Sequence, residues 1–285
     1  METTCFYAIF IWKTPMNRRL VLTAGVAAVA SFSLPARAQG TGIFAINDGV
    51  SYRGLSPEGM ERYELLLKDL NKALGTKMKI QYVNDYNKLA EGLKSGAFDM
   101  AQVHPAHHAI RALKTGEYQL AALSKSHLNY KASFLVRKES LLTSVAMLAG
   151  SKVYVPDADS VTAWLARATV AEQIAAPKRP SFVSVRYQDA IRFAVENKLA
   201  DVGVTASTSE VKEWESSGHR VLAVSRSIPI KQFIVSKRMK SQVEVISTLL
   251  QTQRDTAKLN MPDGYVGFDE SVLVTAGDWL AQGSV

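Results

Sequence analysis

The sequence predicts an α/β protein built as two lobes with a cleft between them. Three observations carry that expectation: strand-like and helix-like segments alternate in two successive blocks, no glycine-rich linker or low-complexity tract separates the blocks, and two extended stretches are placed to cross from one to the other.

Residues 42–47 alternate apolar side chains as a first strand, and residues 48–56 form a polar, glycine-containing loop. A helix follows. Ser56 can cap it, Pro57 suits the first helical position because its missing N–H would be unpaired there anyway, and Glu58 and Glu61 complement the positive end of the helix dipole. Tyr63, Leu66, Leu67 and Leu70 give that helix one apolar face before Gly75 stops it. Residues 79–83 and 98–103 read as strands, residues 86–94 and 105–114 as helices stopped by Gly96 and Gly116, and residues 120–124 and 132–137 as further strands. Such alternation predicts parallel pairing through right-handed crossovers.

The second block repeats the pattern, with a helix at 141–148, a strand at 152–155, a helix at 160–174, a strand at 182–186, a helix at 188–196 and a strand at 201–205. A short helix at 209–215, strands at 220–224 and 232–236, the extended pair Ile228-Pro229 between them, and a long helix at 241–259 complete the reading. Crossings near residues 130–134 and 225–230 would divide the chain into one lobe of residues 39–131 plus 226–285 and another of residues 132–225.

Residues 1–38 stand outside that fold. Asn17-Arg18-Arg19 supplies a positive region, residues 20–34 an apolar run, and Ala36-Arg37-Ala38 a small-x-small cleavage pattern before Gln39, which is the layout of an export signal. Gly25, Ser31, Ser33 and Pro35 interrupt the run, which is short of the roughly 20 apolar residues of a membrane-spanning helix. Met16 is the expected start, with residues 1–15 an upstream extension. Secretory export is the expected route, and Arg18-Arg19 also fits twin-arginine export. The one cysteine, Cys5, lies in the extension, so a mature chain would have no thiol for an oxidising compartment to oxidise.

Removing the four bases Lys13, Arg18, Arg19 and Arg37 and the one acid Glu2 from totals of 34 and 26 leaves 30 and 25, a net charge of +5. Scattered Lys and Arg at that balance suit an anionic solute or solubility and argue against nucleic acid as a partner. No Gly-x-Ser-x-Gly elbow, phosphate loop or His-Glu-x-x-His occurs, so the usual signatures of nucleophilic and metalloprotease catalysis are missing.

The chain resembles the substrate-binding subunits of phosphate, phosphite and phosphonate ABC transporters, a branch of the type II periplasmic binding proteins. Tyr86 through Gly96 with Phe98-Asp99-Met100-Ala101 and His104-Pro105, Tyr130-Lys131-Ala132-Ser133, Leu148 through Val153 leading to Pro156 and Ser160, and Ala190 through Asp201 carry the resemblance in their order and spacing. It implies a non-enzymatic periplasmic receptor, working as a monomer without a cofactor, that closes over a small anionic solute and delivers it to an inner-membrane ABC permease. A periplasmic sensor, or a metal-dependent enzyme on the same fold, is the alternative.

The resemblance places phosphoryl oxygens at Asp159-Ser160-Val161-Thr162, where helix N–H groups and the Ser160 and Thr162 hydroxyls would donate to an anion; Ser160 or Asp159 could equally be a plain helix cap. Asp157 and Asp159 depart from the family's pattern and would repel a phosphonate, and Tyr187 stands where the family often has histidine. His104, His107 and His108 fall where the first lobe meets the ligand, with His104 and His108 at i and i+4; they could line the cleft, share a zinc ion or sit exposed, and no carboxylate or cysteine close in sequence completes a metal set. No metal is therefore expected. Tyr130 at the crossing could close over the ligand, Thr205 ends a strand where ligands gather, Asp201 opens that strand, and Tyr52 and Arg53 follow the first strand.

Overall fold

Two mixed β-sheets carry the helices in the computed structural model, which describes residues 41–48, 57–185, 188–253, 261 and 263–284. The first sheet contains β1 (Gly42–Asp48), β2 (Met78–Tyr82), β3 (Met100–His104), β4 (Tyr118–Ser124), β10 (Gln232–Ser236) and β11 (Tyr265–Val266), in the spatial order β11-β4-β10-β3-β1-β2. The second contains β5 (Ser133–Val136), β6 (Lys152–Val155), β7 (Ser181–Ser184), β8 (Val202–Thr205) and β9 (Arg220–Val224), in the order β7-β6-β8-β5-β9. The export-signal reading of residues 1–38 and the loop at 49–56 lie outside the described residues. No described helix is long and apolar enough to cross a membrane.

Parallel pairing holds for β1 with β2 and β3 and for β6 with β7 and β8. It fails for β10 against β3 and β4, β11 against β4, and β5 against β8 and β9, all of which are antiparallel. The reason lies in the connections. A parallel neighbour needs a crossover of a dozen or more residues, whereas β5 and β10 are each entered by one short extended stretch coming from the other sheet.

Strand periodicity sorts the first sheet's side chains onto two faces. Phe44, Ile46 and Met100 point toward α1 (Pro57–Leu74) and α7 (Val243–Thr252), meeting Tyr63, Leu66, Leu70, Ile246 and Leu250. Ala45, Ala101 and Val103 point to the other face, against α2 (Tyr86–Lys94) and α3 (Ala106–Lys114). Coverage on both faces explains the unbroken apolar run in β1. The second sheet carries α4 (Val161–Ala171), α5 (Gln188–Glu196) and α6 (Thr208–Ser216).

Two expected helices come out differently. Residues 141–148 give only a 3-10 turn at Val145–Leu148, because the Arg220 guanidinium takes the carbonyls of Ser140 and Leu142 that a helix would need. The long helix expected at 241–259 begins in a kinked 3-10 segment at Lys237–Gln242 and continues as α7, which ends at an extended Gln253; residues 254–259 lie outside the described residues. One helix was not expected at all: α8 (Glu270–Ala281), capped by the Asp269 carboxylate on the Ser271 N–H.

That unexpected helix packs against both α3 and α4, so it touches elements of both sheets. Leu273, Trp279 and Leu280 of α8 join Ile110 and Leu113 of α3 and Leu165 and Ala168 of α4 in one apolar cluster. The crossing stretches also pair with each other, through Tyr130 N–H to the Ile228 carbonyl (3.1 Å), Ile228 N–H to the Tyr130 carbonyl (2.9 Å) and Ser225 N–H to the Ala132 carbonyl (2.8 Å).

Gly277 permits the close approach of α8 to α3, since a Cβ there would lie 2.2 Å from Ile110 Cγ2. Gly277→Val should destabilise the protein by about 1–3 kcal/mol through overpacking, read as a melting point several degrees lower. Gly267→Ala, where the nearest atom lies 3.6 Å from the added Cβ, should leave it unchanged. Equal effects of the two changes would show that the α3–α8 contact is not tight.

Candidate functional site

The C-terminal ends of β1 and β3 bring Asp48 and His104 side by side in register. Open parallel sheets collect ligands at this edge, because strand ends there leave polar groups unpaired. Asp48 forms an ion pair with Lys231 at 2.9 Å, and Lys231 is almost wholly buried. Lys231 has a φ of 60°, a left-handed conformation costing about 1–2 kcal/mol for a residue with a Cβ. Nearby, Ser124 Oγ and His127 Nδ1 are 2.8 Å apart.

His104 is half-buried as a residue, and its Nδ1 is enclosed with no hydrogen-bond partner. Burial first, then the neighbouring Lys231, His127 and His107, lower its pKa to about 3, so the imidazole is neutral at pH 7. The ring lies edge-on to Tyr130, centroids 6.3 Å apart. Tyr130 in turn reaches across, its hydroxyl 2.8 Å from Thr162 Oγ1 at the start of α4. Burial raises the Tyr130 pKa, so the phenol stays protonated.

At α4, Ser160 is the N-cap and its Oγ accepts the Ala163 N–H at 3.2 Å. Val161 and Thr162, the first helical residues, present N–H groups with no intrahelical acceptor. The plain-cap reading and the anion reading thus apply to different atoms of one turn.

A second junction lies beside the first. His107 and His108 open α3, and their Nε2 atoms approach Asp159 Oδ1 at 3.0 Å and Oδ2 at 2.8 Å. An ionised carboxylate only accepts, so both Nε2 atoms carry hydrogen. Trp164 Nε1 donates to Oδ1 at 2.9 Å, and the Asp159 N–H donates to Asp157 Oδ1 at 2.9 Å. Burial would raise the Asp159 pKa, but the bonds from His107, His108 and Trp164 win and hold it well below the usual carboxylate range. Burial outweighs the same bond for His107 and lowers it to about 4. Arg111 and Arg167 stand over the Trp164 ring at 4.6 and 5.0 Å.

The expected residues therefore divide. His104, Tyr130 and Thr162 come together, with Ser160 capping the adjacent turn. His108 belongs to the Asp159 junction, and its near partner is His107 instead of His104. Thr205 ends β8 on the sheet edge from which the loop into α4 departs, buried, with its Oγ1 accepting the Ser207 N–H at 3.1 Å. Asp201 is at the opposite edge, exchanging bonds with Lys152 at 2.7 and 3.0 Å, which makes it a strand clamp remote from Thr205. Tyr52, Arg53 and Tyr187 lie outside the described residues.

Asp48, Lys231, His127 and Trp164 were not singled out as site residues. The strand-end rule that picked Thr205 would also have found Asp48. Nothing local in the sequence marks Lys231 or the pairing of His107 with Asp159.

Two α/β lobes with paired crossing stretches and a helix start facing strand ends define the type II class of periplasmic solute-binding proteins, whose fold the chain shares. The family model for ABC transporter, phosphonate, periplasmic substrate-binding proteins matches residues 53–276, and the chain belongs to that family. It is the solute-binding component of an ABC transporter. No curated protein sequence matches the chain.

Among solved structures, XAC2383 from Xanthomonas citri bound to ATP is 14% identical with a TM-score of 0.66, covering 85% of this chain and 98% of its own. PhnD1 from Prochlorococcus marinus in complex with methylphosphonate is 12% identical with a TM-score of 0.60, over 84% and 96%. A binding protein component of an ABC phosphonate transporter from Pseudomonas aeruginosa is 17% identical with a TM-score of 0.55, over 86% and 87%. At these identities the likeness is one of fold.

The neutral His104 gives a pH test. An unfolded chain protonates this histidine near pH 6.5, the folded protein only near 3, so acid binds preferentially to the unfolded state and stability falls as pH drops through that window. His104→Gln should flatten the curve of melting temperature against pH between about pH 6 and about pH 4. Parallel curves for the two proteins would place His104 in water in the folded state.

Proposed function

We propose that the chain is exported to the periplasm by way of residues 1–38 and binds a small phosphate- or phosphonate-like anion between a lobe of residues 39–131 plus 226–285 and a lobe of residues 132–225. It acts as a monomeric receptor for its permease and catalyses nothing. The carrying observation is the Tyr130–Thr162 bond, which joins the strand-end edge holding His104 to the N-terminal turn of α4. An anion entering there would take the free N–H groups of that turn and the two hydroxyls as donors, at the positive end of a helix dipole.

Asp157 and Asp159 support this reading once their geometry is considered. The Asp157 carboxylate accepts the Asp159 N–H, and the Asp159 carboxylate is turned onto His107, His108 and Trp164. Both carboxylates are thus directed at donors of the protein itself. The family assignment favours transport over the sensor and enzyme alternatives.

A panel of phosphate, methylphosphonate, phosphite and sulfate, screened by thermal shift with chelator present, tests the proposal. A ligand at a hundredfold its Kd stabilises by about 2.7 kcal/mol, so a cognate anion should raise the melting point by roughly 5–10 °C. Tyr130→Phe should weaken that anion about tenfold and Thr162→Val with Tyr130→Phe should remove the shift. An unchanged melting point across the panel would contradict an anionic cargo.

A further inference from the structure

We propose that His107, His108 and Asp159 form a binding site for a divalent transition-metal ion, zinc or its chemical neighbours cobalt and nickel, that bridges the two lobes. The inference rests on the two-lobe reading above and is independent of which solute the cleft takes.

Geometry comes first. One ligand atom from each of the three residues lies within 4.8 Å of the others, and the pairs His107 Nε2–Asp159 Oδ1 and His108 Nε2–Asp159 Oδ2 are 3.0 and 2.8 Å apart. Ligand atoms about 2.0–2.1 Å from a tetrahedral zinc ion stand roughly 3.3 Å from each other, so the two histidine–carboxylate contacts would open slightly and the wider separations, at most 4.8 Å, would close. Two imidazoles and a carboxylate are a borderline-soft donor set, suited to zinc, cobalt and nickel and poorly suited to calcium or magnesium. Three protein ligands leave a fourth position for water or an anion.

The surroundings of the three ligands also fit. Coordination at Nε2 moves the imidazole hydrogen to Nδ1, which in His107 is buried with no protein acceptor and would need a water to take it. Trp164 orients the carboxylate through its indole N–H, and its ring lies against His107, centroids 4.9 Å apart. Such outer groups fix ligand direction in metal sites.

The ligands come from α3, which packs on the first sheet, and from the loop that enters α4 on the second. A metal that requires all three residues binds only while the lobes are joined, and so holds them joined by mass action. The two positive charges of one divalent ion less the single carboxylate charge leave +1 at the junction, which favours an anion at the open position.

Cobalt titration of the purified, chelator-treated full chain in solute-free buffer is the test. One equivalent should bind with the visible absorption of a four-coordinate N/O site, and zinc should displace it. Asp159→Asn and the double change His107→Gln with His108→Gln should abolish the spectrum while circular dichroism remains that of the folded protein. Trp164→Phe should keep the spectrum and weaken affinity about 10- to 100-fold. Cobalt or zinc bound at well below one equivalent, or bound equally by Asp159→Asn, would overturn the proposal. The anion screen above is run with chelator, so its outcome and this one are read separately.

Discussion

The Asp159 carboxylate is the point on which the arrangement turns. It carries a negative charge in a half-buried place directly before the helix that would receive an anion, and it is held there because three donors, His107, His108 and Trp164, converge on it. Two of those donors stand on a helix of the first sheet. The two histidines tie this carboxylate to α3 and so fasten the two halves together. Loss of either histidine would leave a charge partly desolvated, which is why its environment costs more to disturb than an exposed ion pair.

Around that point the fold supplies two further couplings of different kinds. Paired crossing stretches at Tyr130 and Ile228 give the halves a short ladder, the sort of element that can absorb a hinge rotation by small changes in φ and ψ. α8 gives them an apolar seam with α3 and α4, closely fitted at Gly277. Ligand-driven closure in such a receptor requires contacts from both halves that favour the joined state over the open one. The Tyr130–Thr162 bond and the Asp159 junction are contacts of that type, and both sit beside the free N–H groups of α4.

Much of this was legible in the chain. The 86–94 and 188–196 helices and the 152–155, 220–224 and 232–236 strands have the bounds their periodicity indicates, and Pro57 opens its helix as expected. Local signals of that kind depend only on neighbouring residues. α8 escaped because Gly277 and the small residues around it blur its apolar face, although Asp269-Glu270 is a legible cap. The helix expected at 141–148 failed for a tertiary reason, since Arg220, about 80 residues away, takes its carbonyls. The histidine cluster was visible, but its grouping was not: spacing favoured His104 with His108, whereas the fold turns His104 toward Tyr130 and pairs His107 with His108 on a carboxylate 51 residues along the chain. Asp201 illustrates the converse, a charged residue at a strand end whose bonds to Lys152 are wholly structural.

The location of the solute is the central claim, and a crystal structure of the protein grown with methylphosphonate addresses it most directly. The account predicts phosphoryl oxygens within hydrogen-bond reach of the Thr162 N–H and hydroxyl and of Tyr130, with His104 at the floor and Asp159 still turned onto His107 and His108. A ligand seated away from the start of α4, or an Asp159 carboxylate swung toward it, would contradict the account.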